Sequence, residues 1–385
     1  MHDMKEKHVH LQEKITQFAE REVAHRKDLS DSDVFPADLW KKMAEAGLLG
    51  LSIPEIYGGA GEDYWFMTAA LKSFVQGGRN MGMALSWMIH LLVARFFILS
   101  FGQEEQIEAY LKPMARGELT GSIAISEPGT GAHPKHVKTT AQRKGDRYEI
   151  TGEKTYLTNG TFADFFMVFS VTGLSGNHKA FTFIIVPRDA EGVHPGPLMK
   201  IDFLKPSPHC GVRFDHCVVP LSNQLGQNGT AYERMSKPFR PLEDTLLMGP
   251  VMGGMYLQLE ILLGLIQKTG LRDSEGLKEK LGEIQISLEA VDVIAGEAAR
   301  ICDIDPASGA LDTLTAFMKI QSKHVQALIV SVASGLGIAE DPAFNRISYD
   351  LQKTVQLAEH VSKIKMQHKG DLLLSKGSKN EKFSR

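Results

Sequence analysis

The residue types best suited to chemistry cluster in residues 122–160, SIAISEPGTGAHPKHVKTTAQRKGDRYEITGEKTYLTNG. A short apolar strand at 122–125 runs straight into Ser126-Glu127-Pro128-Gly129-Thr130-Gly131. Pro128 fixes its own backbone and removes a donor, while Gly129 and Gly131 permit turns closed to other residues. These residues predict a rigid loop with exposed backbone N–H groups and hydroxyls at Ser126 and Thr130. A β-hairpin should follow, with alternating strands at 137–143 and 147–151 around a Lys144-Gly145-Asp146 turn. A third strand then carries Tyr156, Thr158 and Asn159 into Gly160. Such a loop beside an aromatic strand end suits a flat polar ligand, with hydroxyls for the ring edge and Tyr156 for its face.

Positioning that stretch takes a large scaffold. At 385 residues the chain is long enough for two or three domains and needs no staples to bury a core. Residues 1–118 read as helical, with Leu11, Ile15, Phe18 and Val23 near helical spacing and Pro36 where a helix can start. Residues 119–232 form a central β domain, β-barrel-like, with further strands expected at 165–171, 180–186 and 211–219. The runs at 122–125 and 165–171 are nearly all apolar, as in strands covered on both faces. Residues 233–375 return to helix as a four-helix bundle. There Leu281, Ile284, Leu288, Val291, Ala295, Ala298 and Cys302 alternate intervals of three and four, a bundle seam. Residues 376–385 are a charged tail. The fold class is therefore α+β and multidomain.

Composition removes several functions. Charged residues at 23% and apolar ones at 43% describe an ordinary globular chain, and a net charge of −3 offers no basic footprint for nucleic acid. Cys210, Cys217 and Cys302 are an odd set without metal-ligand spacing, which points to reduced thiols and a cytoplasmic location. The first residues mix both charge signs and lack an apolar signal core. His2, His8 and His10 read as a solvated helix end rather than a metal site. Residues 81–101 and 246–266 approach membrane-span length, but His90, Arg95, Gln258 and Glu260 interrupt them. Both are expected to be buried core rather than spans.

The loop and the YLTNG strand together resemble the acyl-CoA dehydrogenase family, where a T/S-E-P-x-x-G-S-D loop and a W-I-T-N-G strand flank the isoalloxazine ring of FAD. The resemblance extends to the GLLGLSIPEIYGG and FGQEEQIEAYL phrases and to the exit CVVPLSNQLG. It implies FAD held through Ile125, Ser126, Gly131, Tyr156 and Thr158. It also implies α,β-dehydrogenation of an acyl thioester, on CoA or a carrier, with a carboxylate as base. The family places that base in one of two phrases. Glu243 in Pro241-Leu242-Glu243-Asp244-Thr245-Leu246 matches one, ahead of an apolar helix, and is the first choice. Glu359 in Ala358-Glu359-His360-Val361-Ser362 is the second, in a phrase that lacks the family's Gly-Thr. An acidic pair at a helix N-terminus is the alternative reading of Glu243 and Asp244.

The sequence also departs from the family. Ala132-His133 replaces Ser-Asp after the loop, Tyr156 replaces Trp, and Asp244 stands where an Arg is usual. The intersubunit E-R-x-x-F-G motif is missing, with Arg272 the only nearby substitute. Two other readings therefore compete: flavin-dependent oxidation of another acidic C–H substrate, and a non-catalytic paralogue serving as a binding or oligomerisation module. The apolar surplus of 246–266 and 311–332, with the resemblance, predicts a homodimer or homotetramer. The acyl chain and the electron acceptor are not legible in the sequence.

Overall fold

Apolar residues at helical spacing build the first layer. In the computed structural model, which describes residues 6–176, 178–270, 276–356, 363, 366, 367, 369–371, 373 and 374, helix α1 (Glu6–Glu22) buries Ile15, Phe18 and Ala19. It is followed by α2 (Asp28–Asp31), α3 (Ala37–Glu45), α4 (Tyr64–Gly78), α5 (Met81–Leu92) and α6 (Glu104–Ala115). Asp63 caps α4 by accepting from the Phe66 N–H, and Asn80 caps α5 by accepting from the Met83 N–H. The helix expected across 81–101 is not uniform. α5 passes into a π-helical stretch, Val93–Leu99.

The β domain contains β1 (Gly121–Ala124), β2 (Thr140–Lys144), β3 (Arg147–Thr158), β4 (Phe165–Ser175), β5 (His178–Pro187), β6 (Val193–Leu198), β7 (His209–Pro220) and β8 (Gln224–Leu225). Their order is β6-β7-β3-β2-β4-β5-β8, with β1 paired to β4 off this path. β1 and β2 lie parallel to β4, β1 along Phe165–Val168 and β2 at Val171. The chain between them, residues 125–139, therefore leaves the sheet and returns to it, and this excursion begins with the Ser126–Gly131 loop. Phe165, Met167 and Phe169 face the helices, whereas Phe166 and Val168 face a second core with Ile150, Ile184 and Phe214. Burial of each such side chain contributes ~1.5–3 kcal/mol, so β4 anchors both layers. The sequence missed β6 and β8. β6 carries two prolines, and β8 has only two residues.

The C-terminal helices are α7 (Lys237–Leu246), α8 (Met248–Thr269), α9 (Leu277–Ile304), α10 (Gly309–Gly335) and α11 (Pro342–Gln356). α9 packs on α10, and α8 on α11, with the α9 seam buried at Ile284, Leu288, Val291, Ala295, Ala298 and Cys302. α8 also lies against α4. A Cβ at Gly249 would sit 2.6 Å from the Thr68 carbonyl oxygen, and one at Gly253 2.6 Å from that of Lys72. Glycine is what allows the two helices to approach this closely. Much of the apolar surplus in 246–266 is thus consumed inside the chain, in one core shared by both helical regions. Among the described residues, Met81–Leu99 and Tyr232–Thr269 are long and apolar enough to cross a membrane, and both are mostly buried in the protein.

Candidate active site

The Ser126–Gly131 loop is held from within. Glu127 is only 4% exposed, and its two carboxylate oxygens accept the Lys138 N–H at 2.7 Å and the Thr139 N–H at 2.9 Å. The fully buried Lys154 on β3 adds an ion pair at 2.9 Å and donates also to the Ile125 carbonyl at 3.0 Å. Burial pushes the Glu127 pKa up, but Lys154 and the hydrogen bonds more than offset it, and the net shift is downward. Lys154 is pushed down to about 8 by burial, with Glu127 opposing. The pair is ionised at neutral pH, because a charge this deep needs its partner. The N–H groups of Glu127, Thr130 and Gly131 bond within the loop, so these three are not free to meet a ligand. The Ser126 hydroxyl makes no hydrogen bond among the described residues, and Thr130 Oγ1 is buried without a partner among them.

Tyr156 and Thr158 are not on a separate third strand. Both belong to β3, which runs unbroken from the hairpin turn. Lys154 pairs with Val212 and Leu157 with Cys210, so Thr155 and Tyr156 stand opposite Gly211 alone. This β-bulge turns Tyr156 to φ 57° and leaves its ring 62% exposed, while Lys154 and Leu157 on either side stay buried. The Thr155 N–H donates to the Ser126 carbonyl at 2.9 Å, which ties the bulge to the loop. At the strand end Ser122 Oγ donates to the Thr158 carbonyl at 2.6 Å. Ile125, Ser126, Gly131, Tyr156 and Thr158 are therefore gathered at one end of the sheet. Sequence reasoning missed His209, whose Nε2 lies 3.0 Å from Thr158 Oγ1.

Glu243 lies inside α7, not ahead of a helix, so the reading of an acidic pair at a helix N-terminus fails. The helical run breaks only at Leu247, because Pro250 has no N–H for the Leu246 carbonyl. Glu243 is partly buried, its side chain 28% exposed, with Arg240 Nη1 at 3.7 Å. Burial pushes its pKa up, Arg240 opposes, the neighbouring Asp244 raises it further, and Lys319 opposes. The net shift is upward, toward the range a proton acceptor needs at neutral pH. Asp244 is claimed by Lys319 on α10 at 2.8 Å and by Arg240 at 3.6 Å. Among the described residues, no partner of Glu243 comes from the β domain. Glu359, Arg272, His2 and the 376–385 tail lie outside the described residues.

The remaining candidates are structural. Burial pushes Cys210 and Cys217 up to about 11 and Cys302 to about 12, leaving them as inert thiols. His8 is not a solvated helix end. It stacks on Phe66 and places Nε2 3.0 Å from Glu62. Among the described residues, no cluster of His, Cys, Asp or Glu could hold a metal ion.

The β-domain end fits a flat heteroaromatic group on the structure's own terms. It presents an exposed aromatic face at Tyr156 and an uncommitted hydroxyl at Ser126, and the Thr130 hydroxyl is buried without a partner among the described residues. Comparison with known proteins gives the family. The acyl-CoA dehydrogenase N-terminal domain model matches residues 5–118 and the acyl-CoA dehydrogenase middle domain model residues 122–217, together more than half of the chain. Acyl-CoA dehydrogenase of Bacillus subtilis (strain 168) is 32% identical over 225 residues, covering 58% of this chain. The chain spans only 59% of that relative's length. The short-chain specific acyl-CoA dehydrogenase of Clostridium acetobutylicum is 25% identical over 373 residues, 92% of this chain and 94% of that protein. The butyryl-CoA dehydrogenase structure from Megasphaera elsdenii shares the fold with a TM-score of 0.85 at 21% identity, over 97% of this chain and all of that one. The chain belongs to the acyl-CoA dehydrogenase family.

Proposed function

We propose that this protein is a flavoenzyme that dehydrogenates an acyl thioester, carried on CoA or on a carrier protein, to the 2-enoyl thioester. The observation that carries this reading is the bulge in β3, which leaves the Tyr156 ring exposed next to Thr155, whose N–H ties the bulge to Ser126 of the loop. Ile125, Ser126, Gly131, Tyr156 and Thr158 would hold the FAD ring, with Tyr156 supplying an aromatic surface and Ser126 and Thr158 supplying hydroxyls. A bound FAD supplies an acceptor for the hydride that leaves the β-carbon. The chain's own part is to take the α-proton, and Glu243 is the base assigned to it. Its raised pKa suits that role, since a carboxylate partly withdrawn from water is a stronger base than one in solution. The thioester carbonyl acidifies the α-carbon, and loss of the proton and the hydride leaves the new double bond.

The same reading includes a cytoplasmic homodimer or homotetramer. Ile286 and Val293 are 69% and 72% exposed and lie seven residues apart on α9, an apolar stripe that a second copy would cover. Sedimentation at micromolar concentration checks this, and a stable monomer contradicts it. The catalytic reading is tested by titrating purified protein with FAD. Uptake with an ordered flavin absorbance band is expected, and no uptake at high FAD rejects it.

A further inference from the structure

Behind Thr158 lies a chain of polar groups that the proposed reaction does not use. Thr158 Oγ1 is 3.0 Å from His209 Nε2, and His209 Nδ1 is 3.2 Å from the Ser207 carbonyl oxygen. Ser207 Oγ lies 3.0 Å from Ser86 Oγ, and the Ser86 carbonyl accepts from Asn159 Nδ2 at 2.9 Å. The imidazole joins the end of β3 to the segment before β7, and Ser207 and Asn159 tie both to helix α5. A carbonyl oxygen can only accept, so Nδ1 must carry the hydrogen. Burial disfavours the imidazolium and pushes the His209 pKa down, with the Ser207 carbonyl opposing. A neutral ring protonated at Nδ1 has a bare lone pair at Nε2. That lone pair takes the Thr158 hydroxyl hydrogen, and only the lone pairs of Oγ1 are left for a ligand.

We propose that His209 is a positioning residue, which fixes the Thr158 hydroxyl as a hydrogen-bond acceptor toward the bound ring. The site thereby favours a ring edge that presents an N–H over one that presents only a lone pair. A hydroxyl free to rotate would serve either edge equally. This role rests on the flavin reading of Ser126, Tyr156 and Thr158, and it adds to that site a selectivity residing in a side chain outside the loop and strand motifs. It also gives the adjoining polar residues a common purpose. Asn159 at φ 65° and Ser86 on α5 hold the segment that carries Ser207, which in turn sets the tautomer of His209.

Two measurements test the proposal. In the unmodified apoprotein, nitrogen-15 NMR of His209 should show the neutral tautomer protonated at Nδ1, and a ring protonated at Nε2 overturns the assignment. FAD affinity is then measured for the wild type, His209→Phe, His209→Gln, Thr158→Val and the His209→Phe/Thr158→Val double variant. His209→Phe should weaken FAD binding ~5–10-fold, the size of one hydrogen bond. His209→Gln, whose carbonyl can take the same hydroxyl hydrogen, should recover most of the loss. In the Thr158→Val background His209→Phe should have no further effect, because nothing is left to orient. An equal loss in both backgrounds, or no rescue by glutamine, means that His209 only packs and overturns the proposal. A wild-type protein that takes up no FAD overturns the flavin reading along with it, whereas uptake without coupling overturns the role of His209 alone.

Discussion

The end of β3 and the middle of α7 both carry residues assigned to chemistry, and they are held in opposite ways. At β3 the backbone does the positioning. A bulge aims Tyr156, a buried Glu127–Lys154 pair locks the loop, and a backbone hydrogen bond from Thr155 to Ser126 joins the two. In α7 the helix sets only which side Glu243 faces, and charged groups decide the rest: Arg240 one turn back, Asp244 beside it and Lys319 on another helix. A site built on backbone irregularity keeps its geometry when one side chain changes. A site built on a charge balance shifts with every partner, and its carboxylate is tuned by residues far away in sequence.

The largest expected effect comes from breaking the lock at the first region. Lys154→Met strands a buried carboxylate, and denaturant unfolding should show a loss of ~3–5 kcal/mol. The Glu127→Gln/Lys154→Met double variant should regain part of it. A loss under ~1 kcal/mol would mean that the pair does not organise the loop.

At the second region, Glu243→Gln keeps the shape and removes the base. Substrate-driven flavin bleaching should slow ~10²-fold, equivalent to about 2.7 kcal/mol of barrier, with FAD content unchanged. The sign of the pH dependence follows from the raised pKa of Glu243. The carboxylate works ionised, so the bleaching rate should rise with pH through a midpoint above the ordinary glutamate value of 4.5 and fall away below it. If Glu359→Gln slows bleaching and Glu243→Gln does not, the base lies in the C-terminal stretch instead.

Tyr156→Gly separates backbone from side chain. The left-handed backbone at this position costs a tyrosine ~1–2 kcal/mol that glycine does not incur. Stability by thermal melting should hold or rise, while FAD affinity falls by about tenfold with the loss of the stacking face. A parallel drop in stability would show that the ring packs within the protein and does not serve a ligand.

The smallest effect lies outside both regions, where the segment before β7 meets α11. Asp350 on α11 accepts the Leu204 N–H at 2.8 Å, and burial pushes its pKa up to about 6, with that N–H opposing. A carboxyl raised in the folded state binds more protons there than in the unfolded chain between pH 3.8 and about 6. Its contribution to stability therefore falls as pH rises through that window. Asp350→Asn can accept the same N–H and should add ~1 kcal/mol at pH 7 and nothing near pH 3.5. Equal melting shifts at both values would contradict the linkage.

Much of this was legible in the residues. The apolar runs at β1 and β4, the α9 seam and the Gly/Pro loop each announce their element, because hydrophobic period and turn chemistry are local properties. The bulge at Tyr156 was not legible. It depends on the register with Gly211, more than fifty residues downstream, and the short strands β6 and β8 depend likewise on partners rather than on their own composition. Lys154 looks like a surface strand residue until Glu127 is seen to fold back over it. His209 stands in a Pro-His-Cys stretch with no motif, and only its pairing opposite Thr158 gives it a role. Glu243 was expected ahead of an apolar helix, whereas α7 begins earlier and accommodates Pro238 in its first turn and Pro241 in its interior.

The central claim is that a flavin-ring site at the end of β3 serves thioester dehydrogenation. The most direct measurement is the visible spectrum of FAD-loaded protein during anaerobic titration with acyl-CoAs of graded length. The account predicts that at least one thioester bleaches the flavin band in stoichiometric amount and leaves the 2-enoyl product, and that Glu243→Gln protein with the same FAD content bleaches far more slowly. A protein that holds FAD with an ordered spectrum, and whose flavin chemical reductants bleach but no thioester does, would contradict it.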